Sequence, residues 1–158
     1  MTGVQRHGKF PGRIAGIDFG TVRIGIAISD AERSIASPLE NYTRRGLEQD
    51  ARRFQRLVSE VDVKLFVVGL PVHLDGCESQ KSAEARQFGQ WLAEATGVPV
   101  EFFDERFTSN EAEHFLLEAG LTNRRRKQRL DMVAAQIMLS AYLESREKGQ
   151  QNPLPLDD

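Results

Sequence analysis

The stretch Lys64-Leu65-Phe66-Val67-Val68-Gly69-Leu70 constrains the fold of this chain more than any other segment. From Leu65 onward it is apolar without alternation, the pattern of a central strand covered on both faces. Such a strand needs a layer on each side, and the neighbouring sequence supplies helices. Leu47, Ala51, Phe54, Leu57, Val58 and Val61 recur at helical spacing ahead of it. A second helix is expected over Ser82 to Ala95, burying Ala85, Phe88, Leu92 and Trp91 and ending at Gly97.

Before the first helix come three strand patterns. Arg13 to Phe19 reads as a strand, Gly20-Thr21 as a turn, and Val22 to Ser29 as a strand with Val22, Ile24, Ile26 and Ile28 on one face. Ile35 to Tyr42 is a weaker strand in which Pro38 marks an edge or a kink. A fifth strand follows over Val98 to Phe103, then a helix capped by Thr108 or Ser109, a basic loop, and a last helix from about Leu130 to Glu144. A three-stranded antiparallel meander followed by alternating helices and strands implies an α/β fold. It is a mixed five-stranded sheet with helices on both faces.

At 158 residues the chain suits one domain. Residues 1–12 are expected to be a flexible basic arm, 13–145 the folded domain, and 146–158, with Pro153 and Pro155, a disordered tail. No apolar stretch approaches the ~20 residues of a membrane span, and no secretory signal is visible at the start. A single cysteine, Cys77, excludes an internal disulfide. A reducing, cytoplasmic setting with no membrane partner is expected.

The net charge of -2 conceals clustering among 16 Arg and 5 Lys. Arg44, Arg45, Arg52, Arg53 and Arg56 are interleaved with Glu48 and Asp50 and read as a solvated helix face. Arg124, Arg125, Arg126, Lys127 and Arg129 put five cations into six positions with no carboxylate before Asp131, and read as a phosphate-facing loop. Arginine forks phosphate oxygens where lysine offers a point charge. A nearly neutral protein can therefore still hold nucleic acid.

Three acidic sites stand out. Asp18 follows the apolar Ile14-Ala15-Gly16-Ile17, where a carboxylate is costly unless it caps a turn, pairs, or binds a metal. Asp104-Glu105-Arg106 lies at the carboxyl end of the fifth strand, where open α/β sheets place their sites. Alternation sends Asp104 and Glu105 to opposite faces, so one of them reaches any shared site. Asp131 begins the last helix on the stripe of Ala134, Ala135 and Met138, as an N-cap or as an inward-facing ligand. Three converging carboxylates would suit Mg²⁺ or Mn²⁺, two of which can activate water against a phosphodiester. His7, His73, His114 and Cys77 read as structural or exposed.

The run Asp18-Phe19-Gly20-Thr21-Val22-Arg23-Ile24-Gly25-Ile26-Ala27 resembles the opening motif of the YqgF family, also called RuvX. The resemblance continues through Ser29-Asp30, Ala36-Ser37-Pro38-Leu39, Gly69-Leu70-Pro71 with Asp75-Gly76, and Asp104-Glu105-Arg106-Phe107-Thr108-Ser109, and closes on Leu130-Asp131 with Ala134-Ala135. It implies a ribonuclease H-like fold and a metal-dependent nuclease, with Asp18, Glu105 and Asp131 as catalytic metal ligands. The family has been described both as Holliday junction resolvases and as nucleases of pre-16S rRNA. Structured RNA or branched DNA would be the partner, and the chain would be a monomer or a homodimer. Arg23, Arg106, Arg124, Arg125, Arg126, Lys127 and Arg129 would position phosphates. Phe107, Ser109, Ser140 and the Cys77-Glu78-Ser79-Gln80 segment depart from the family pattern without touching the acids.

Two other functional classes compete with the nuclease. Asp18-Phe19-Gly20-Thr21 also resembles the phosphate loop of sugar-kinase and actin-like ATPases, but these need two copies of the fold and this length holds one. A non-catalytic nucleic-acid module would use the same basic segment and bind in a salt-sensitive way without turnover.

Overall fold

The computed structural model describes residues 11–71, 79–104 and 123–151, excepting the side chains of 123–131 and 147–151. In chain order the elements are β1 (Arg13–Asp18), β2 (Arg23–Ser29), β3 (Ala36–Thr43), α1 (Leu47–Val61), β4 (Val63–Leu70), α2 (Gln80–Thr96), β5 (Val100–Asp104) and α3 (Asn123–Gln151). One five-stranded sheet runs in the order β3-β2-β1-β4-β5. β1 pairs with β2, and β2 with β3, antiparallel, while β4 lies parallel to both β1 and β5. This is the expected mixed sheet with its leading meander.

Strand alternation divides the interior into two cores. Ile17, Ile24, Ile26, Phe66 and Val68 face one way, under Phe54 and Leu57 of α1 and Phe88 and Leu92 of α2. Ile14, Ala27, Leu65 and Val67 face the other way, under Ala135, Met138 and Leu139 of α3. β4 therefore feeds both layers, which is why its sequence shows no polar alternation. Each fully buried large aliphatic or aromatic side chain contributes on the order of 1.5–3 kcal/mol.

Local signals set the boundaries. Ser79 caps α2 by accepting a hydrogen bond from the Ser82 N–H (3.1 Å), and Gly97 ends that helix in the left-handed region at φ 73°. β3 is an edge strand whose register slips where Ile26 opposes Glu40 but Ala27 opposes Pro38. Leu39 is the extra residue of that irregularity and is 38% exposed. Val22 lies outside β2 and is 61% exposed, so it does not join the face of Ile24 and Ile26 as the alternation suggested.

Two expectations are corrected. Arg124 to Arg129 belong to α3 instead of a loop, because the helix begins at Asn123. Arg, Lys, Gln and Leu are all good helix formers, and neither Gly nor Pro interrupts the chain from Asn123 to Lys148. At its other end α3 continues to Gln151, into the segment expected to be a disordered tail. Arg146 is tied there by donating to the Tyr142 hydroxyl (3.0 Å) while its guanidinium lies over the Tyr142 ring. The 1–10 part of the arm, residues 152–158 of the tail, and the helix expected after Thr108 lie outside the described residues.

Candidate active site at the carboxyl end of the sheet

β1, β4 and β5 are parallel and end together, at Asp18, Leu70 and Asp104. Asp18 opposes Gly25 of β2 and is half-buried. Ile14 belongs to the α3-side core, and Gly16 sits directly beneath α3, so alternation gives Asp18 that same face. Gly20 then turns the chain so tightly that a Cβ there would run into the Arg23 carbonyl oxygen. Arg23 shares the parity of Gly25 and Ala27, which puts it on the α3 side at the same end of the sheet, exposed.

α3 reaches this end through a close approach at Gly16. A Cβ on Gly16 would come within 2.9 Å of the Leu139 Cβ and 3.4 Å of the Ala135 carbonyl oxygen. The carboxyl half of α3 lies by the β2–β3 loop, with Ser140 and Leu143 beside Ser34, Ile35 and Ala36. Its amino half consequently points toward the end of β1. Asp131 is one turn before Ala135, about 6 Å of helix rise. Asp18 is two residues beyond Gly16, about 6.6 Å of strand. The backbone at Asp131 is thus carried to the level of Asp18.

Of the Asp104-Glu105 pair, Phe103 packs on the α3-side core, so Asp104 takes the opposite face by alternation. Glu105 and Arg106 lie outside the described residues, as do the side chains of Asp131, Arg124, Arg125, Arg126, Lys127 and Arg129. His7, His73, Cys77 and His114 lie outside them too. Among the described residues no group of three potential metal ligands is assembled. The donors singled out are all carboxylates, which matches the hard-oxygen preference of Mg²⁺ and Mn²⁺.

Of the first arginine group, Arg52, Arg53 and Arg56 lie on α1, whereas Arg44 and Arg45 precede it and are not part of the expected helix face. Arg52 pairs with Glu48, Arg53 with Glu40 and Arg56 with Glu60. Nor is Asp50 on a solvated face. Asp50 is fully buried and accepts hydrogen bonds from the Tyr42 hydroxyl (2.7 Å), Arg44 Nε (3.1 Å) and the Arg45 N–H (2.9 Å). Burial alone would raise its pKa, yet the bonds from Tyr42, Arg45 and Arg44 outweigh that and hold the carboxyl below its ordinary range. Burial, together with the bond to Asp50, pushes the Tyr42 phenol up to about 12. The network fixes Arg44 over the rings of Phe19 and Phe88. An acid in the first turn of an amphipathic helix reads as a dipole partner, so only its spacing from Tyr42 and Arg44 hinted at this role.

A family model described as RuvX, Holliday junction resolvase, matches residues 12–145. A Rhodopirellula baltica protein named "putative pre-16S rRNA nuclease" is 46% identical over 140 residues, covering 88% of this chain and 81% of its own. One of the same name from Syntrophomonas wolfei is 41% identical over 138 residues, covering 87% and 98%. Among solved structures, Thermus thermophilus RuvC in complex with Holliday junction substrate superposes with a TM-score of 0.56 at 16% identity, over 86% of this chain and 96% of that one. The fowlpox virus resolvase with Holliday junction DNA gives 0.55 at 11% identity, over 85% and 98%. At such identities the likeness is one of fold, the ribonuclease H-like sheet of resolvases. No described helix is long and apolar enough to cross a membrane. Matched over residues 12–145, which take in the whole sheet and most of α3, the chain belongs to the RuvX family, the family described as Holliday junction resolvase.

Proposed function

We propose that the chain is a metal-dependent nuclease that hydrolyses phosphodiester bonds, acting at the 5' end of pre-16S rRNA in ribosome biogenesis. The observation that carries this reading is Asp18 at the carboxyl end of β1, on the α3 face, with the turn of α3 that holds Asp131 at its level. Because Asp104 takes the other face, Glu105 is the member of its pair suited to join them. Asp18, Glu105 and Asp131 would hold Mg²⁺ or Mn²⁺, two ions in all. When bound, the metal supplies an activated water and charge stabilisation at the leaving oxygen.

The cations act on the substrate backbone. Arg23 and Arg106 flank the acids in sequence and fix the phosphate path. With 3.6 residues per turn, Arg124 and Lys127 fall on the helix stripe of Asp131, whereas Arg125, Arg126 and Arg129 fall off it. The first two would serve the phosphate at the cut and the other three its neighbours. Such contacts set register without reading sequence.

The RNA assignment is supported by relatives 36–46% identical over most of their length that carry the rRNA nuclease name. Branched DNA is the second reading, favoured by the family description and by the junction-bound structures of the same fold. A cleavage assay in Mg²⁺ or Mn²⁺ that offers a pre-16S 5' precursor and a four-way junction side by side decides between them. Faster cutting of the precursor is expected. Preferential, symmetric cutting of the junction would transfer the assignment to DNA. Salt-sensitive binding without turnover of either would reduce the chain to a binding module.

A further inference from the structure

A cavity of about 380 Å³ opens beside the end of β1 on the α1/α2 side of the sheet. Phe19, Leu47 and Trp91 give it apolar walls, and Arg44, Glu84 and Gln87 its polar groups. Beneath it the aromatic rings form a row, with Phe19 4.8 Å from Phe88 and Phe88 5.5 Å from Trp91 between centroids. Phe19 and Trp91 are half-buried, and Leu47 on the rim is 60% exposed. The Arg44 guanidinium lies 5.3 Å from the Phe19 ring centre and is held there by buried Asp50. A second groove, lined by Asp18, Gly20 and Lys81, shares Phe19, Thr21 and Glu84 with this cavity.

We propose that the cavity receives one unpaired nucleobase of the strand whose phosphate lies at Asp18. The inference rests on the nuclease reading for its ligand and adds the substrate feature that this site selects. Aromatic faces and a guanidinium plane stack on any base, and a base inside a duplex has no free face to offer. Asp18 and Phe19 are consecutive, with Cα atoms about 3.8 Å apart, and alternation gives them opposite faces of the sheet. A strand crossing the Gly20-Thr21 turn therefore sets its phosphate in the groove at Asp18 and its base in the adjoining cavity. A phosphate is the wrong occupant of the cavity, because the Arg44 charge is already engaged by Asp50 and Glu84 adds a carboxylate. Glu84 instead suits the amino or imino N–H edge of a base, as an acceptor.

Trp91 is the single tryptophan of the chain, so its fluorescence reports on this cavity alone. The full chain is titrated with an RNA hairpin carrying a single-stranded extension, the same hairpin blunt-ended, and one whose extension is abasic. The extended hairpin should quench Trp91, and the blunt one should not. The abasic extension should bind about tenfold more weakly, as expected for the loss of a stacked base, and should leave the fluorescence unchanged. Leu47→Glu, at an exposed first helical position where an acid is tolerated, should weaken binding of the extended hairpin by a similar factor with its circular dichroism retained. Equal binding and quenching by the abasic extension, or an unaltered Leu47→Glu protein, would overturn the proposal. Cleavage of the same hairpins is followed in parallel. Cutting without quenching would overturn the base pocket and keep the nuclease, whereas quenching without cutting would keep the pocket and overturn the nuclease.

Discussion

Replacing Asp50 by Asn tests the least expected part of the fold. The carboxylate is fully buried and accepts three hydrogen bonds, one of them from the side chain of Arg44, which is 21% exposed. An asparagine oxygen can still accept from Tyr42 and from the Arg45 N–H, but its NH₂ would face the Arg44 Nε–H, donor against donor. A hydrogen bond to a charged group is worth about 1.5–3 kcal/mol, and breaking one side of a buried ion pair costs about 3–5 kcal/mol. The partial exposure of Arg44 lets water take up part of that loss, so about 2–4 kcal/mol is expected. For a domain of this size each kcal/mol lowers Tm by roughly 2–4 °C. The assay is urea and thermal unfolding followed by circular dichroism, at pH 7 and down to about pH 3. The folded-state pKa of Asp50 is depressed, so its contribution is present above the usual carboxylate pKa and is lost as pH falls through the folded value. Asp50→Asn should accordingly be destabilised at pH 7 and show a flatter acid limb. A loss below about 0.5 kcal/mol at pH 7, the scale of an ordinary surface change, would refute the reasoning.

Three further outcomes follow from the same geometry. The chain has two tyrosines, and both are shifted upward, Tyr42 to about 12 and Tyr142 through burial and its bond to Glu101. An ultraviolet titration should find neither phenol ionising near pH 10, and stability should fall as pH rises from about 10 toward 12. Tyr42→Phe should remove part of that alkaline loss. Gly16→Ala pushes a methyl against Leu139, which should cost about 1–3 kcal/mol in urea unfolding, partly recovered when Leu139→Ala is added. Arg124→Ala should weaken RNA binding and lower its salt slope more than Arg126→Ala, measured by a filter-binding series in added salt.

Much of the architecture was legible because strand alternation is a short-range signal. Lys64 to Leu70 read as a two-faced strand, and Ile14-Ala15-Gly16-Ile17 pointed to an acid at a strand end. The close approach of α3 rests on Gly16, whose missing side chain leaves room for Leu139 and the Ala135 backbone, a pairing of distant residues that has no local pattern. The basic segment was misread because charge density reports what a surface attracts and says nothing against a helix built from Arg, Lys and Gln. Asp50 stayed hidden because its burial comes from β3 and the segment before α1 closing over it, a tertiary event with no local pattern. Trp91 was expected in the core, yet the cavity beside Arg44 leaves it half-buried.

The proposed nuclease depends on Asp18, Glu105 and Asp131, which would hold the metal needed for phosphodiester hydrolysis. Single-turnover cleavage of a pre-16S 5' precursor in Mg²⁺ by Asp18→Asn, Glu105→Gln and Asp131→Asn measures that dependence directly, with circular dichroism and unfolding curves on each variant. Each substitution is predicted to lower the rate by at least about a hundredfold, since even outer-shell partners of a metal typically cost 10–100-fold, while the fold is retained. Undiminished cleavage by any purified, folded variant would contradict the account.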